Sequence, residues 1–66
     1  MQIKVNGEPS EFPAPLTLLA LAQALGLSMK QVAIERNREI VPKSTYAQVE
    51  LSPGDEIEIV QFIGGG

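Results

Sequence analysis

Between residues 17 and 25 the apolar side chains Leu18, Leu21, Ala22 and Leu25 recur at i, i+3, i+4 and i+7. That spacing gathers them on one stripe of an α-helix. Thr17 stands at the N-cap position, where its hydroxyl can accept from the first turn. Leu16 and Leu21 occupy the two positions of a hydrophobic staple. Gly26 falls at the C′ position, where a left-handed residue ends a helix, and Leu27 is placed to fold back on the last turn. The remaining patterned stretches alternate with period two, so one amphipathic helix must cover a sheet. The fold class expected is therefore α+β. With 66 residues there is one domain. Such a chain buries only about 60% of its unfolded surface and has no room for an enclosed active-site cavity beside its core.

The strands follow from alternation and turn chemistry. Met1, Ile3 and Val5 share one face of a first strand, and Gln2 and Lys4 the other. Asn6-Gly7 is a type I′ hairpin signal. The return strand, residues 8–12, is weakened by Pro9, and Pro13 and Pro15 make a rigid connection. After a connector at 28–31, Val32 and Ile34 alternate in a third strand over 31–36. Asn37-Arg38 reverses the chain into a short fourth strand at 39–41, closed by Pro42. Residues 43–47 are expected as a loop or single helical turn, with the Tyr46 ring partly buried and its hydroxyl in water. A small strand is expected at 49–51, then a Ser52-Pro53-Gly54-Asp55 turn of type II. The last strand, 56–62, puts Ile57 and Ile59 on one face and Val60 and Phe62 on the other. Either this strand is central and covered twice, or Val60 and Phe62 are exposed.

The chemistry carried by side chains is sparse. There is no cysteine and no histidine, which removes thiol catalysis, disulfides and the commonest metal ligands. Glu35, Glu39, Asp55, Glu56 and Glu58 form no recognisable acid–base or metal-ligand pattern. Arg36 and Arg38 bracket the reversal and are expected to be exposed. No apolar run approaches the roughly 20 residues that cross a bilayer, and no signal-peptide pattern is found. A cysteine-free chain fits the cytoplasm, and no membrane partner is expected. The net charge of −3 argues against a partner rich in phosphate, so no nucleic-acid partner is expected.

The chain runs from its last strand into Gly64-Gly65-Gly66. Glycine adds no side chain and accepts nearly any backbone conformation, so this end is a thin ribbon carrying a carboxylate. It is either a working handle or a frayed terminus. Ordering each glycine costs on the order of 1–2 kcal/mol, so the tail is expected to be mobile alone and ordered inside a partner. Val60 and Phe62, flanked by Ile63, are candidates for the docking patch beside it, with core packing as the other reading of those side chains.

The order hairpin, helix, hairpin, short strand, long strand and diglycine end resembles the β-grasp fold of ubiquitin-like proteins. More closely, the chain resembles the ThiS family of sulfur carriers in thiamine biosynthesis. The resemblance is carried by Val5-Asn6-Gly7, by Thr17 opening the helix, by residues 33–42 (AIERNREIVP), and above all by residues 54–66 (GDEIEIVQFIGGG). It implies a mixed sheet of about four to five strands on one main helix. It also implies a β-grasp domain over residues 1–63, with a flexible tail at 64–66.

The resemblance further implies a carrier rather than an enzyme. An E1-like, ThiF-type adenylyltransferase would use Mg-ATP to activate the Gly66 carboxylate. A cysteine-derived donor would supply sulfur to give a thiocarboxylate, and a ThiG-type thiazole synthase would take that sulfur. Gly64 and Gly65 would be the ribbon leading to the reacting group, and no cofactor would be bound by the chain itself. Other readings are a molybdopterin synthase small subunit, a ubiquitin-like modifier joined to lysines, and a passive β-grasp interaction module.

Overall fold

The computed structural model describes residues 1–62. Five strands form one mixed sheet: β1 (Gln2–Val5), β2 (Glu8–Glu11), β3 (Val32–Arg36), β4 (Glu39–Ile40) and β5 (Glu56–Gln61), in the order β2-β1-β5-β3-β4. β1 and β5 are parallel, and the other neighbours are antiparallel. The helix α1 (Leu18–Ala24) provides the second layer. One face of the sheet supplies Ile3, Val32, Ile34 and Ile57 to a core completed by Leu16, Leu18, Leu21, Ala22, Tyr46 and Leu51. Each of the Leu, Ile and Val side chains contributes about 1.5–3 kcal/mol on full burial. This is the β-grasp arrangement.

The helix ends are where the sequence placed them. Thr17 Oγ1 accepts from the Ala20 N–H at 3.1 Å. At the other end the Gly26 N–H donates to Gln23 and the Leu27 N–H to Ala22, with Gly26 at φ +70°. These two bonds are a Schellman motif. The helix stops at Ala24, so Leu25 is its C-cap and is 41% exposed, outside the buried stripe.

Residues 43–47 take the single helical turn, one of the two forms expected of them, whereas 49–51 differ from the expected small strand. A 3-10 turn (Lys43–Thr45) leads into a segment whose carbonyls serve the helix start. The Leu18 N–H donates to the Val49 carbonyl at 2.9 Å and the Leu19 N–H to the Tyr46 carbonyl at 3.0 Å. The first N–H groups of any helix lack intrahelical partners, and here a distant loop provides them. Leu51 N–H donates to the Leu16 carbonyl, and a single bridge joins Thr17 to Glu50, so 49–51 is a strap rather than a strand. The strap carries Tyr46 inward. Its ring is 1% exposed, which corrects the expected solvated hydroxyl. The hydroxyl lies toward the Ile34 backbone without a hydrogen bond of good geometry. Burial, the larger effect, pushes this phenol above its ordinary pKa against that weaker backbone influence.

Candidate functional site

β5 is the central strand and the one that leads to the glycine end. Its last turns of sequence are held from both sides. On the β3 side the register is Glu35 opposite Glu58, Ala33 opposite Val60 and Val32 opposite Gln61. The ladder is extended by the Phe62 N–H donating to the Gln31 carbonyl at 2.8 Å. On the β1 side pairing reaches only Val5 opposite Ile57. Beyond it the Asn6 amide oxygen accepts from the Ile59 N–H at 2.7 Å. Asn6 sits in the hairpin turn at φ +50°, a conformation that asparagine tolerates better than most residues.

The start of β5 is fixed by a polar cluster that the sequence did not disclose. Asp55 is 7% exposed. Its carboxylate accepts from Arg36 Nε at 2.9 Å, Asn37 Nδ2 at 3.1 Å and the Ser52 N–H at 2.8 Å. Asn37 Oδ1 in turn accepts from the Glu56 N–H. Arg36 is therefore half-buried and paired, a correction to its expected exposure, while Arg38 is exposed. Burial alone would raise the Asp55 carboxyl. The bonds from Ser52, Asn37 and Arg36, with the Arg36 charge, outweigh burial and hold it below the ordinary carboxylate range. The cluster locks the β3–β4 turn to the 52–55 turn, so β5 leaves at a defined angle.

The outer sheet face settles the choice left open for β5. The strand is central, yet only one of its faces is covered. Val60 and Phe62 are each 55% exposed on the other, and Ile40 of β4 is 77% exposed. Their packing in the core is thereby excluded. Ile63, Gly64, Gly65 and Gly66 lie outside the described residues, as do the expectations that fall on them. Among the described residues no group of His, Cys, Asp or Glu is placed to hold a metal ion, and there is no pocket. No helix among them is long and apolar enough to cross a membrane. What the geometry offers is a rigid strand with a partly apolar outer face, aimed at the end of the chain.

A mixed five-stranded sheet packed on one helix in this order defines the class of β-grasp domains. Within that class, residues 3–66 match the ThiS family model. The sulfur carrier protein ThiS of Bacillus subtilis is 48% identical over 65 residues, covering 97% of this chain and 98% of that protein. A thiazole synthase of Paramagnetospirillum magneticum is 54% identical over 66 residues, and the chain spans 20% of its length. The crystal structure of the thiamine biosynthesis protein ThiS from Geobacter metallireducens superposes with a TM-score of 0.84 at 30% identity, each chain covered in full. The chain belongs to the ThiS family.

Proposed function

We propose that this chain is a sulfur carrier for thiazole formation in thiamine biosynthesis, and that the α-carboxyl of Gly66 is the group that carries the sulfur. The observation that carries the reading is the family match across residues 3–66, which includes the run from β5 into the glycines. A carboxylate is a poor electrophile. Its oxygen must first attack the α-phosphorus of Mg-ATP, releasing pyrophosphate and leaving an acyl-adenylate with AMP as leaving group. A persulfide of a cysteine-derived donor then attacks the acyl carbon, and AMP departs. A second thiol attacks the donor's sulfur in the resulting acyl disulfide, forming a disulfide with the donor and releasing the thiocarboxylate. Phosphoryl chemistry of this kind depends on positioning and charge stabilisation. The described residues offer no pocket or metal cluster for it. In this reading the catalytic groups belong to an E1-like, ThiF-type adenylyltransferase, and the acceptor step to a ThiG-type thiazole synthase. The match to thiazole synthases supports that second partnership.

In this reading β5 does the positioning. Asp55 fixes its start, Asn6 its middle and the β3 ladder its end. Val60, Phe62 and Ile63 form the docking patch, and Gly64 and Gly65 thread the partner's channel. A side chain next to the carboxyl would thicken the ribbon, and hydrogen does not. Two variants test this. Deleting Gly66, or appending one residue after it, abolishes activation by the adenylating enzyme while leaving thermal unfolding unchanged. Activation of the extended variant at the wild-type rate would contradict the proposal.

A further inference from the structure

The turn between β1 and β2 is Asn6-Gly7, the dipeptide in which an asparagine side chain most readily reacts with the backbone that follows it. Asn6 has φ +50° and Gly7 φ +83°. These values fit a type I′ turn, whose first central residue has φ of about +60° and ψ of about +30°. Both residues are exposed, and a Cβ added at Gly7 would meet nothing within 4 Å. Among the described residues neither the Gly7 N–H nor Asn6 Nδ2 has a hydrogen-bond partner. An attacking nitrogen and a leaving group are therefore both open to solvent. Two contacts restrain Asn6 itself. Its Oδ1 accepts from the Ile59 N–H at 2.7 Å, and its N–H donates to the Ile57 carbonyl at 2.8 Å.

We infer that Asn6 is a modification site, latent in the closed turn, at which deamidation follows opening of the β1–β2 hairpin. The Gly7 nitrogen loses its proton to solvent base and attacks Asn6 Cγ. The Cγ–Nδ2 bond breaks, and Nδ2 takes a proton from water and leaves as ammonia. The product is a five-membered succinimide. Water then opens the ring at either carbonyl, giving aspartate or an isoaspartate whose main chain runs through Cβ. Water is the only co-reactant, and nothing is oxidised or reduced. Ring closure requires the Gly7 nitrogen to lie nearly eclipsed with Cβ about the Asn6 Cα–C bond. In a type I′ turn it lies nearly anti to Cβ instead. The closed turn thus withholds the nitrogen, and the peptide must swing to the opposite side before reaction.

Asn37 provides the contrast within the chain. It too has φ +50°. Its Nδ2 donates to Asp55 Oδ1 and its Oδ1 accepts from the Glu56 N–H, so both ends of its amide are held. The residue after it is Arg38, whose side chain crowds the nitrogen that would attack. The two asparagines share a backbone φ and differ in what restrains the amide. At Asn6 the isoaspartyl product lengthens the main chain by one methylene, so it fits neither the type I′ turn nor the contact to Ile59. β5 then loses its support on the β1 side beyond Ile57. The reaction marks chains whose hairpin has opened and keeps it from closing again.

Neither step depends on the proposed function. Wild type and Asn6→Gly are incubated at mildly alkaline pH, in native buffer and in guanidinium chloride. Intact mass reads replacement of an amino group by a hydroxyl, and fragmentation locates it. Wild-type Asn6 is expected to react at least about tenfold more slowly in native buffer, because hairpin opening is a local unfolding with its own cost. Asn37 stays unmodified there, and Asn6→Gly shows no reaction. The isolated isoaspartyl form is expected to exchange the Ile59 amide faster than wild type. Equal rates at Asn6 in the two solvents overturn the protection by the turn. Reaction at Asn37 ahead of Asn6 in native buffer, or an Asn6 inert even in guanidinium, overturns the site. An isoaspartyl chain that exchanges Ile59 as slowly as wild type overturns the claim that the turn cannot close again.

Discussion

The side-chain amide of Asn6 and the backbone of Ile59, 53 residues apart, are joined by a 2.7 Å hydrogen bond. β1 ends at Val5 while β5 continues, and Asn6 supplies the acceptor that a longer β1 would have provided. Two substitutions separate its roles. Asn6→Gly keeps the positive φ and loses only the bond, at about 1 kcal/mol. Asn6→Ala loses the bond and strains the turn as well, at about 2–3 kcal/mol in total. In both, amide exchange at Ile59 accelerates, as NMR hydrogen exchange would read. Equal stability of Asn6→Ala and wild type would contradict this role.

Asp55 gives the fold an acid-sensitive contact. Its carboxyl is held below its unfolded value, so the stabilisation is complete above the unfolded pKa near 4 and is lost as pH falls through the lower folded value. Asp55→Asn is expected to lose about 1.5–3 kcal/mol at neutral pH, because Arg36, Asn37 and the Ser52 N–H lose their anionic acceptor. Arg36 remains partly solvated, which favours the lower end of that range. Urea midpoints measured from pH 7 down to pH 2 should fall less steeply for the variant than for wild type. Parallel curves would remove Asp55 from the account.

Tyr46 is buried with a hydroxyl that has no good partner among the described residues. Removing an unpaired buried hydroxyl recovers its desolvation cost, so Tyr46→Phe is expected to leave stability unchanged or raise it by up to about 1 kcal/mol. Tyr46→Ala empties a core site and costs about 3–5 kcal/mol, a large share of what so small a domain possesses. Thermal unfolding of the two variants distinguishes ring packing from hydroxyl bonding, and a destabilised Tyr46→Phe would show that the hydroxyl is bonded.

Val60 and Phe62 are exposed on the outer face, so Val60→Asp and Phe62→Asp should each change stability by no more than about 0.5 kcal/mol. Binding to the proposed adenylating enzyme should weaken at least tenfold, because a charge is desolvated at the proposed docking patch. Isothermal titration and denaturant unfolding on the same samples read both quantities. Unfolding of either variant would return that side chain to a structural role.

What could be read from the sequence was local. The α1 boundaries rest on Thr17, Gly26 and Leu27, all within a few residues of the bonds they make. The strands rest on alternation, which a one-residue shift would reverse. What could not be read depends on partners distant in the chain. Asp55 meets Arg36 and Asn37 across 19 and 18 residues. Tyr46 is carried inward because its carbonyl and that of Val49 serve the helix start. The exposure of Val60 and Phe62 depends on the sheet order, and the opposition of Glu35 and Glu58 on a register that alternation does not specify. Alternation could signal only that Glu58 faces away from Ile57 and Ile59.

Top-down mass spectrometry of the intact chain, after incubation with the adenylating enzyme, Mg-ATP and a sulfur donor, tests the central claim most directly. The chain has no cysteine, so an added sulfur has no side-chain thiol on which to reside. The account predicts exchange of one oxygen for sulfur, localised by fragmentation to Gly66 and reversed when thiazole synthase consumes it. An unmodified Gly66 under conditions that activate a relative's carrier, or sulfur found anywhere else in the chain, would contradict it.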